Sequence, residues 1–155
     1  MRLMILAVLV LFKPAPVAAL ELGGGFGLSR GGTVMGLDVV RTGKRHGFGA
    51  QLRRIPKNED EGQTGMTMVG GYMRPGFDAG PLRFYALGGF GIVQIDPVSG
   101  DGESSMGPLA GFGVHAWLAR KLSVGIETVE YQFWTGDDYK GGATGSTVVH
   151  LLVSL

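Results

Sequence analysis

Cysteine is absent from this chain of 155 residues, which excludes disulfides and thiolate metal sites. Charge is sparse as well, with Asp, Glu, Lys and Arg making up only 17% of the residues. No apolar run reaches the roughly 20 residues that a transmembrane helix needs, the longest being Leu3 to Phe12. Beyond that run there is no helical periodicity. Nucleotide-binding signatures are missing too. No G-x-x-x-x-G-K-[ST] occurs, and none of the Gly-Phe-Gly stretches extends to a G-x-G-x-x-G that opens a helix. The acidic segment DPVSGDGESS (96–105) lacks the spacing of a calcium loop. No catalytic, cofactor or metal site is therefore expected, and the one metal role left open is sharing divalent cations with anionic lipid headgroups.

The amino terminus has the form of an export signal. Met1-Arg2 is a short positive start, Leu3 to Phe12 an apolar run and Val17-Ala18-Ala19 a small-residue cleavage pattern. Residues 1–19 are thus expected to be a signal peptide and residues 20–155 one β-barrel domain. Loss of Arg2 and Lys13 leaves 12 basic against 13 acidic residues, a net charge of −1, and this balance gives no hint of nucleic acid. Glycine is abundant, at 29 residues, and most of it lies inside apolar runs rather than in linkers.

Eight runs of period-two or apolar character follow, near 20–29, 33–41, 46–54, 64–77, 81–95, 105–118, 121–133 and 144–155. From the second connection onward the links alternate short and long. In an up-and-down antiparallel barrel, successive links lie at opposite ends, so the alternation gathers the long loops at one end and the tight turns at the other. That asymmetry is the pattern of bacterial transmembrane barrels; the first link, short where a long one is expected, departs from it. The long loops carry Lys57, Glu59, Asp60 and Glu61; Asp96, Asp101 and Glu103; and Asp137, Asp138 and Lys140, whereas the turns and their flanks carry Arg41, Lys44, Arg45, Arg120 and Lys121.

Taking every second position yields one greasy face: Leu22, Phe26 and Leu28; Met35, Leu37 and Val39; Phe48, Ala50 and Leu52; Met66, Met68 and Tyr72; Phe84, Ala86, Phe90 and Ile92; Phe112, Val114, Ala116 and Leu118; Leu122, Val124 and Ile126; Val149, Leu151, Val153 and Leu155. The complementary positions hold Asp38, Gln51, Arg53, Arg83, His115, Glu127 and His150 among many glycines. A soluble ligand-binding barrel has charge outside and a greasy cavity inside. Here the polarity is reversed, which favours lipid outside and a structural polar cluster of those seven residues in the lumen. The fifth run is ambiguous, because Tyr85, Leu87, Val93 and Ile95 make its inner face apolar too. The tetrads GGFG (24–27), HGFG (46–49), GGFG (88–91) and AGFG (110–113) each set a Phe outward between two inward glycines. An eight-stranded interior barely fits its side chains, so glycine there leaves room for larger residues opposite.

The stretch Leu109 to Trp134 reads as a hairpin about the turn Ala119-Arg-Lys121. Its alternation flips after Thr128, where Val129, Tyr131 and Phe133 take the polar phase and Glu130 and Gln132 the greasy one. A β-bulge or exit from the membrane would explain the flip. Exit is the expectation, with Tyr131, Phe133 and Trp134 forming an outer aromatic girdle or loop base.

Histidine gives the one hint of catalysis. His115 and His150 point inward, His46 stands apart, and Ser123, Ser146 and Ser154 with Glu127 are the nominal members of a nucleophile-base-carboxylate set. Ion pairing of Glu127 with His115, Arg53 or Arg83 is the expected alternative, since buried charge must be compensated.

LAGFGVHAWLARKLSVGIETVEYQF and RFYALGGFGI resemble the closing strands of small outer-membrane β-barrel proteins of the OmpA-like transmembrane type, a porin-like family of Gram-negative bacteria. The alternation Thr147, Val149, Leu151, Val153, Leu155 resembles that family's terminal assembly signal, except that Leu155 stands where an aromatic is usual. The resemblance implies an all-β, eight-stranded antiparallel up-and-down transmembrane β-barrel in the outer membrane, contacting membrane lipid and lipopolysaccharide, inserted by the outer-membrane assembly machinery, and structural or surface-interacting rather than enzymatic. No peptidoglycan-binding domain follows, and the His-x-Ser pattern of lipid A deacylase barrels is absent at both His115 and His150. A lipid-modifying barrel enzyme and a soluble periplasmic or secreted ligand-binding barrel remain the alternatives.

Overall fold

A computed structural model describes residues 19–43 and 45–155. The expected export signal lies outside the described residues up to position 18, as does Lys44. Eight strands follow in order, β1 (Ala19–Ser29), β2 (Gly32–Thr42), β3 (His46–Ile55), β4 (Gly65–Ala79), β5 (Leu82–Asp96), β6 (Glu103–Ala119), β7 (Leu122–Gln132) and β8 (Ala143–Ser154). Each pairs antiparallel with the next, and β1 pairs with β8, which closes the barrel. Closure leaves no open edge and satisfies the backbone within the sheet. The links between β2 and β3, β4 and β5, and β6 and β7 share one end with the start of β1 and the end of β8. There Leu155 N–H donates to Leu20 O at 2.8 Å and Ser154 N–H to Lys121 O at 2.9 Å. The long links 56–64, 97–102 and 133–142 share the other end with the two-residue turn at 30–31.

Polarity is inverted relative to a water-soluble barrel. Outside stand Phe26, Leu37, Phe48, Phe90, Phe112 and Val149, among many other exposed large hydrophobics. Buried inside are Glu21, Asp38, Arg53, Arg74, Arg83, His115, Glu127 and His150. The interior is also layered. Val34, Ile55, Val93, Ile95, Leu109 and Phe133 fill the long-loop end, and the charges occupy the middle and the short-turn end.

Glycine makes this filling possible. All four tetrad phenylalanines are exposed on the outer wall, and the flanking glycines face in, most of them against neighbouring backbone and Gly49 and Gly113 against the rings of Tyr72 and Tyr85. A Cβ at Gly27 would lie 1.8 Å from the Thr147 carbonyl oxygen, at Gly89 2.0 Å from that of Gly71 and at Gly111 2.2 Å from that of Thr128. No side chain fits at such approaches.

Two sequence expectations are corrected by the register. Residues opposite one another in a ladder share a face, and β4 sets Met68 opposite Arg53, Gly70 opposite Gln51 and Tyr72 opposite Gly49. Met68 and Tyr72 therefore turn inward, at 1% and 5% exposure, and Met66 packs against the same core. Outward on β4 are Val69, Met73 and Phe77. The second correction concerns β7. Its pairing with β8 runs unbroken from Leu122 to Gln132, so neither a bulge nor a flip follows Thr128. The one register shift of this hairpin is on β6, between Trp117 and Ala119. Val129, Tyr131 and Phe133 continue the inward phase as core residues, and Glu130 and Gln132 are exposed. Tyr131 and Phe133 thus form no outer girdle. Trp134 alone of the three is exposed, meeting Phe90 edge to face with ring centroids 6.0 Å apart.

Candidate functional site

Every one of the seven polar residues singled out from the alternation is buried in the barrel, and five of them meet. Arg53 on β3 reaches Asp38 on β2 through Nη1 at 2.9 Å and Glu127 on β7 through Nη2 at 2.6 Å. The other oxygen of Glu127 accepts from the Tyr85 hydroxyl on β5 at 2.9 Å. Tyr85 Oη lies 2.8 Å from His115 Nε2 on β6, which in turn lies 2.7 Å from His150 Nε2 on β8. His150 Nδ1 faces Asp38 Oδ2 at 3.7 Å. Six strands contribute one side chain each to a polar circuit, hydrogen-bonded from Asp38 round to His150 and left open by the 3.7 Å gap between His150 and Asp38.

Donor counting assigns the protons. The single proton of Tyr85 goes to Glu127, so its oxygen accepts from His115 Nε2–H. His150 Nε2, beside that same nitrogen, then presents a lone pair, and His150 carries its proton on Nδ1, toward Asp38. Both histidines are neutral in this arrangement. The one His115 Nε2 proton is then shared between Tyr85 Oη and His150 Nε2, and the 3.7 Å approach of His150 Nδ1 to Asp38 is longer than a hydrogen bond.

A second cluster lies nearer the short-turn end. Glu21 on β1 accepts from Arg74 Nη2 at 2.7 Å and from the Thr42 hydroxyl at 2.9 Å. The Arg74 guanidinium also lies over the Tyr85 ring, 4.7 Å from its centroid, which couples the two clusters through one aromatic. Arg83 belongs to neither. It donates to the Gly43 carbonyl at 3.0 Å and sits 3.5 Å from Asp78 at the barrel rim. Gln51 is buried beside Asp38 across the β2–β3 ladder. The acids Glu21, Asp38 and Glu127 balance the arginines Arg53, Arg74 and Arg83 inside the barrel, as the cost of uncompensated buried charge requires.

Glu21, Thr42, Arg74 and Tyr85 were not singled out from the sequence. Arg74 carried the signal that was overlooked: a charged side chain two positions from Tyr72 fixes the inward phase of β4 and would have turned Tyr72 and Met68 inward with it.

The arrangement braces strands; its geometry is not that of an acyl-transfer centre. Among the described residues, no serine hydroxyl hydrogen-bonds to a histidine, and His115 and His150 are enclosed at 1% and 2% exposure. Nor, among the described residues, does any group of three or more His, Asp or Glu side chains form a candidate metal cluster.

The long loops are ordered by their own polar contacts. Asn58 and Gln63 exchange backbone hydrogen bonds of 3.0 and 2.7 Å. Lys57 bridges Glu59 at 3.0 Å and Asp96 at 3.6 Å, and the hydrogen bond it donates to Glu59 raises its pKa. Glu103 accepts from the Asp138 N–H at 3.0 Å, and Ser105 donates to the Thr135 carbonyl at 2.6 Å. Exposed acids line these loops at Glu59, Asp60, Glu61, Asp137 and Asp138.

No family model matches the chain, and no curated protein matches it. Solved structures do. Neisserial surface protein A (NspA) superposes with a TM-score of 0.66 at 12% identity, over 89% of this chain and 96% of that one. Ail, the attachment invasion locus protein of Yersinia pestis, gives 0.61 at 12% identity, over 89% and 98%. The outer membrane enzyme PagL gives 0.59 at 11% identity, over 87% and 99%. The chain has the fold of the small eight-stranded outer-membrane β-barrels.

Proposed function

We propose that the protein is an outer-membrane β-barrel with a structural or surface-interacting role and no enzymatic one, exported by its amino-terminal segment. The observation that carries this reading is the inverted polarity, with phenylalanine, leucine and valine outside and ion pairs inside. In water such a wall exposes far more apolar surface than a soluble monomer tolerates; in a bilayer it is the solvent-matched face, and closure meets the backbone's needs. The short turns and both chain ends then face the periplasm. The ordered acidic loops face outward, where they meet lipopolysaccharide and whatever surface ligand the protein engages. Insertion relies on the outer-membrane assembly machinery reading β8. The filled interior allows at most a small conductance.

Cell fractionation with a heat-modifiability gel tests this. The protein should sediment with the outer membrane, require detergent for release and migrate faster unheated than boiled. Recovery in the supernatant without detergent would establish the soluble ligand-binding barrel instead. Trypsin added to whole cells should cut after Lys57 or Lys140 in the long loops, and large stable steps in a planar bilayer would overturn the filled lumen. PagL has the same fold, so a lipid-modifying activity has a direct assay: lipopolysaccharide incubated with the purified barrel should keep its acyl masses unchanged.

A further inference from the structure

Near the short-turn end the outer wall is hollowed across β3 to β6. The β4–β5 ladder pairs residues up to Met73 with Gly88 and resumes at Gly76 with Tyr85, skipping Arg74 and Pro75. Pro75 has no N–H to donate, and the position across from it is Ala86. Pro75, Gly76 and Ala86 make a low floor. Phe77 and Phe84 form one wall, stacked with centroids 5.6 Å apart, and Phe112 forms another. The resulting groove has a volume of about 940 Å³. Its three phenylalanines are all exposed.

At the rim stand Arg45 and His46. The Gly76 N–H donates to the Arg45 carbonyl at 2.9 Å and holds that backbone beside the floor. Asp78, the acid at this groove, is occupied by Arg83 at 3.5 Å. Among the described residues no carboxylate pairs with the Arg45 guanidinium.

We propose that this groove binds one glycerophospholipid, with its phosphodiester on Arg45 and His46 and an acyl chain laid over Pro75, Ala86 and Phe112. The inference rests on the membrane reading above. A slot that is hydrocarbon-lined along its length and cationic at one end complements an amphiphile with an anion at one end. Guanidinium groups match phosphate oxygens in pairs, and a site at the short-turn end faces the periplasmic leaflet. The convex wall of a second barrel would leave the hollow unfilled and Arg45 without an anion.

The full chain, reconstituted in bilayer discs of phosphatidylcholine with phosphatidylglycerol and transferred to mild detergent, is weighed by native mass spectrometry. Wild type should retain one phosphatidylglycerol per barrel. Loss of charge-assisted hydrogen bonds predicts retention reduced roughly tenfold or more in the double variant Arg45→Ala/His46→Ala. Ala86→Trp, which fills the floor, should lower it similarly. Arg120→Ala, a turn cation at the same end outside the groove, should leave it unchanged, and excess inorganic phosphate should not displace the lipid. Equal retention in all variants, equal loss in Arg120→Ala, displacement by phosphate, or a mass of two barrels would each overturn the site. Folding of each variant is read from its unheated gel migration. If Ala86→Trp does not fold, the rim double variant decides. A wild-type barrel that enters bilayers but retains no lipid refutes the site alone; one that fails to enter bilayers refutes the membrane reading.

Discussion

Removing Glu127 takes away two charge-assisted contacts at once, the 2.6 Å pair with Arg53 and the 2.9 Å bond from Tyr85. Arg53 keeps Asp38 at 2.9 Å, so the loss in Glu127→Ala is partial compensation rather than an isolated cation. Hydrogen bonds to charged groups contribute about 1.5–3 kcal/mol each, and breaking a buried pair costs about 3–5 kcal/mol. A destabilisation of about 3–5 kcal/mol follows, a shift of about two to four decades in the folding constant at about 1.4 kcal/mol per decade. Arg53→Met should cost at least as much, because it leaves both Asp38 and Glu127 without their shared cation. The double variant Arg53→Met/Glu127→Ala removes a cation and an anion together and leaves only Asp38 without its partner. Its cost should therefore fall short of the sum of the single costs by about 1–3 kcal/mol, the range for residues in one network. Urea titration of the barrel in phospholipid vesicles, followed by tryptophan fluorescence and gel migration, measures all four proteins. Membrane insertion should survive in each, since the outer wall is untouched. A wild-type unfolding midpoint for Glu127→Ala, or strictly additive costs in the double variant, would refute the circuit as a stabilising unit.

Other perturbations probe the wall, the glycines and the loops. Leu37→Arg, on the exposed wall of β2, should cost about 2–4 kcal/mol in vesicles if it lies near the bilayer midplane; an unchanged urea midpoint there would argue against lipid contact. Gly27→Ala should impair folding severely, because its Cβ would lie 1.8 Å from the Thr147 carbonyl oxygen, whereas Gly88→Ala has nothing within 4 Å of the new atom and should stay within about 0.5 kcal/mol of wild type. Equal refolding yields for the two would contradict the close-approach argument. Glu103→Ala removes the acceptor of the Asp138 N–H and should speed tryptic cleavage after Lys140 in the purified barrel; an unaltered digestion rate would show that this contact does not order the loop.

Strand number, closure order and the inward set were legible because β-alternation is strict and charge is rare. Asp38, Arg53, His115, Glu127 and His150 interrupt otherwise apolar or glycine-rich runs, and a two-residue period leaves each only one face to occupy. Where they meet was not legible. Arg53 and Glu127 are 74 positions apart, and their contact depends on strand tilt and register, which the ladder sets and no local pattern encodes. β4 was misphased because methionine, tyrosine and glycine suit either face, so only Arg74 marked its phase. At the end of β7 the assumption that apolar means outward failed. Near the long-loop end the interior itself becomes apolar, and Tyr131 and Phe133 follow the period while reversing the chemistry.

That change of chemistry along the axis bears on function. A path through the barrel from the short-turn end meets Glu21, Arg74 and Thr42, then the six-member circuit, and then the apolar layer of Ile55, Ile95, Leu109 and Phe133, all nearly fully buried. The two obstructions differ in kind. Charged side chains can in principle exchange partners and admit water, but a packed apolar layer offers a hydrated ion nothing in place of its water and excludes it by dewetting. Rearranging the ion pairs alone would therefore open no continuous aqueous route. If transport through the lumen is closed at the apolar layer, the surfaces left to do work are the acidic loops at one end and the outer wall with its groove at the other. The stability supplied by the circuit then serves to hold those surfaces in place.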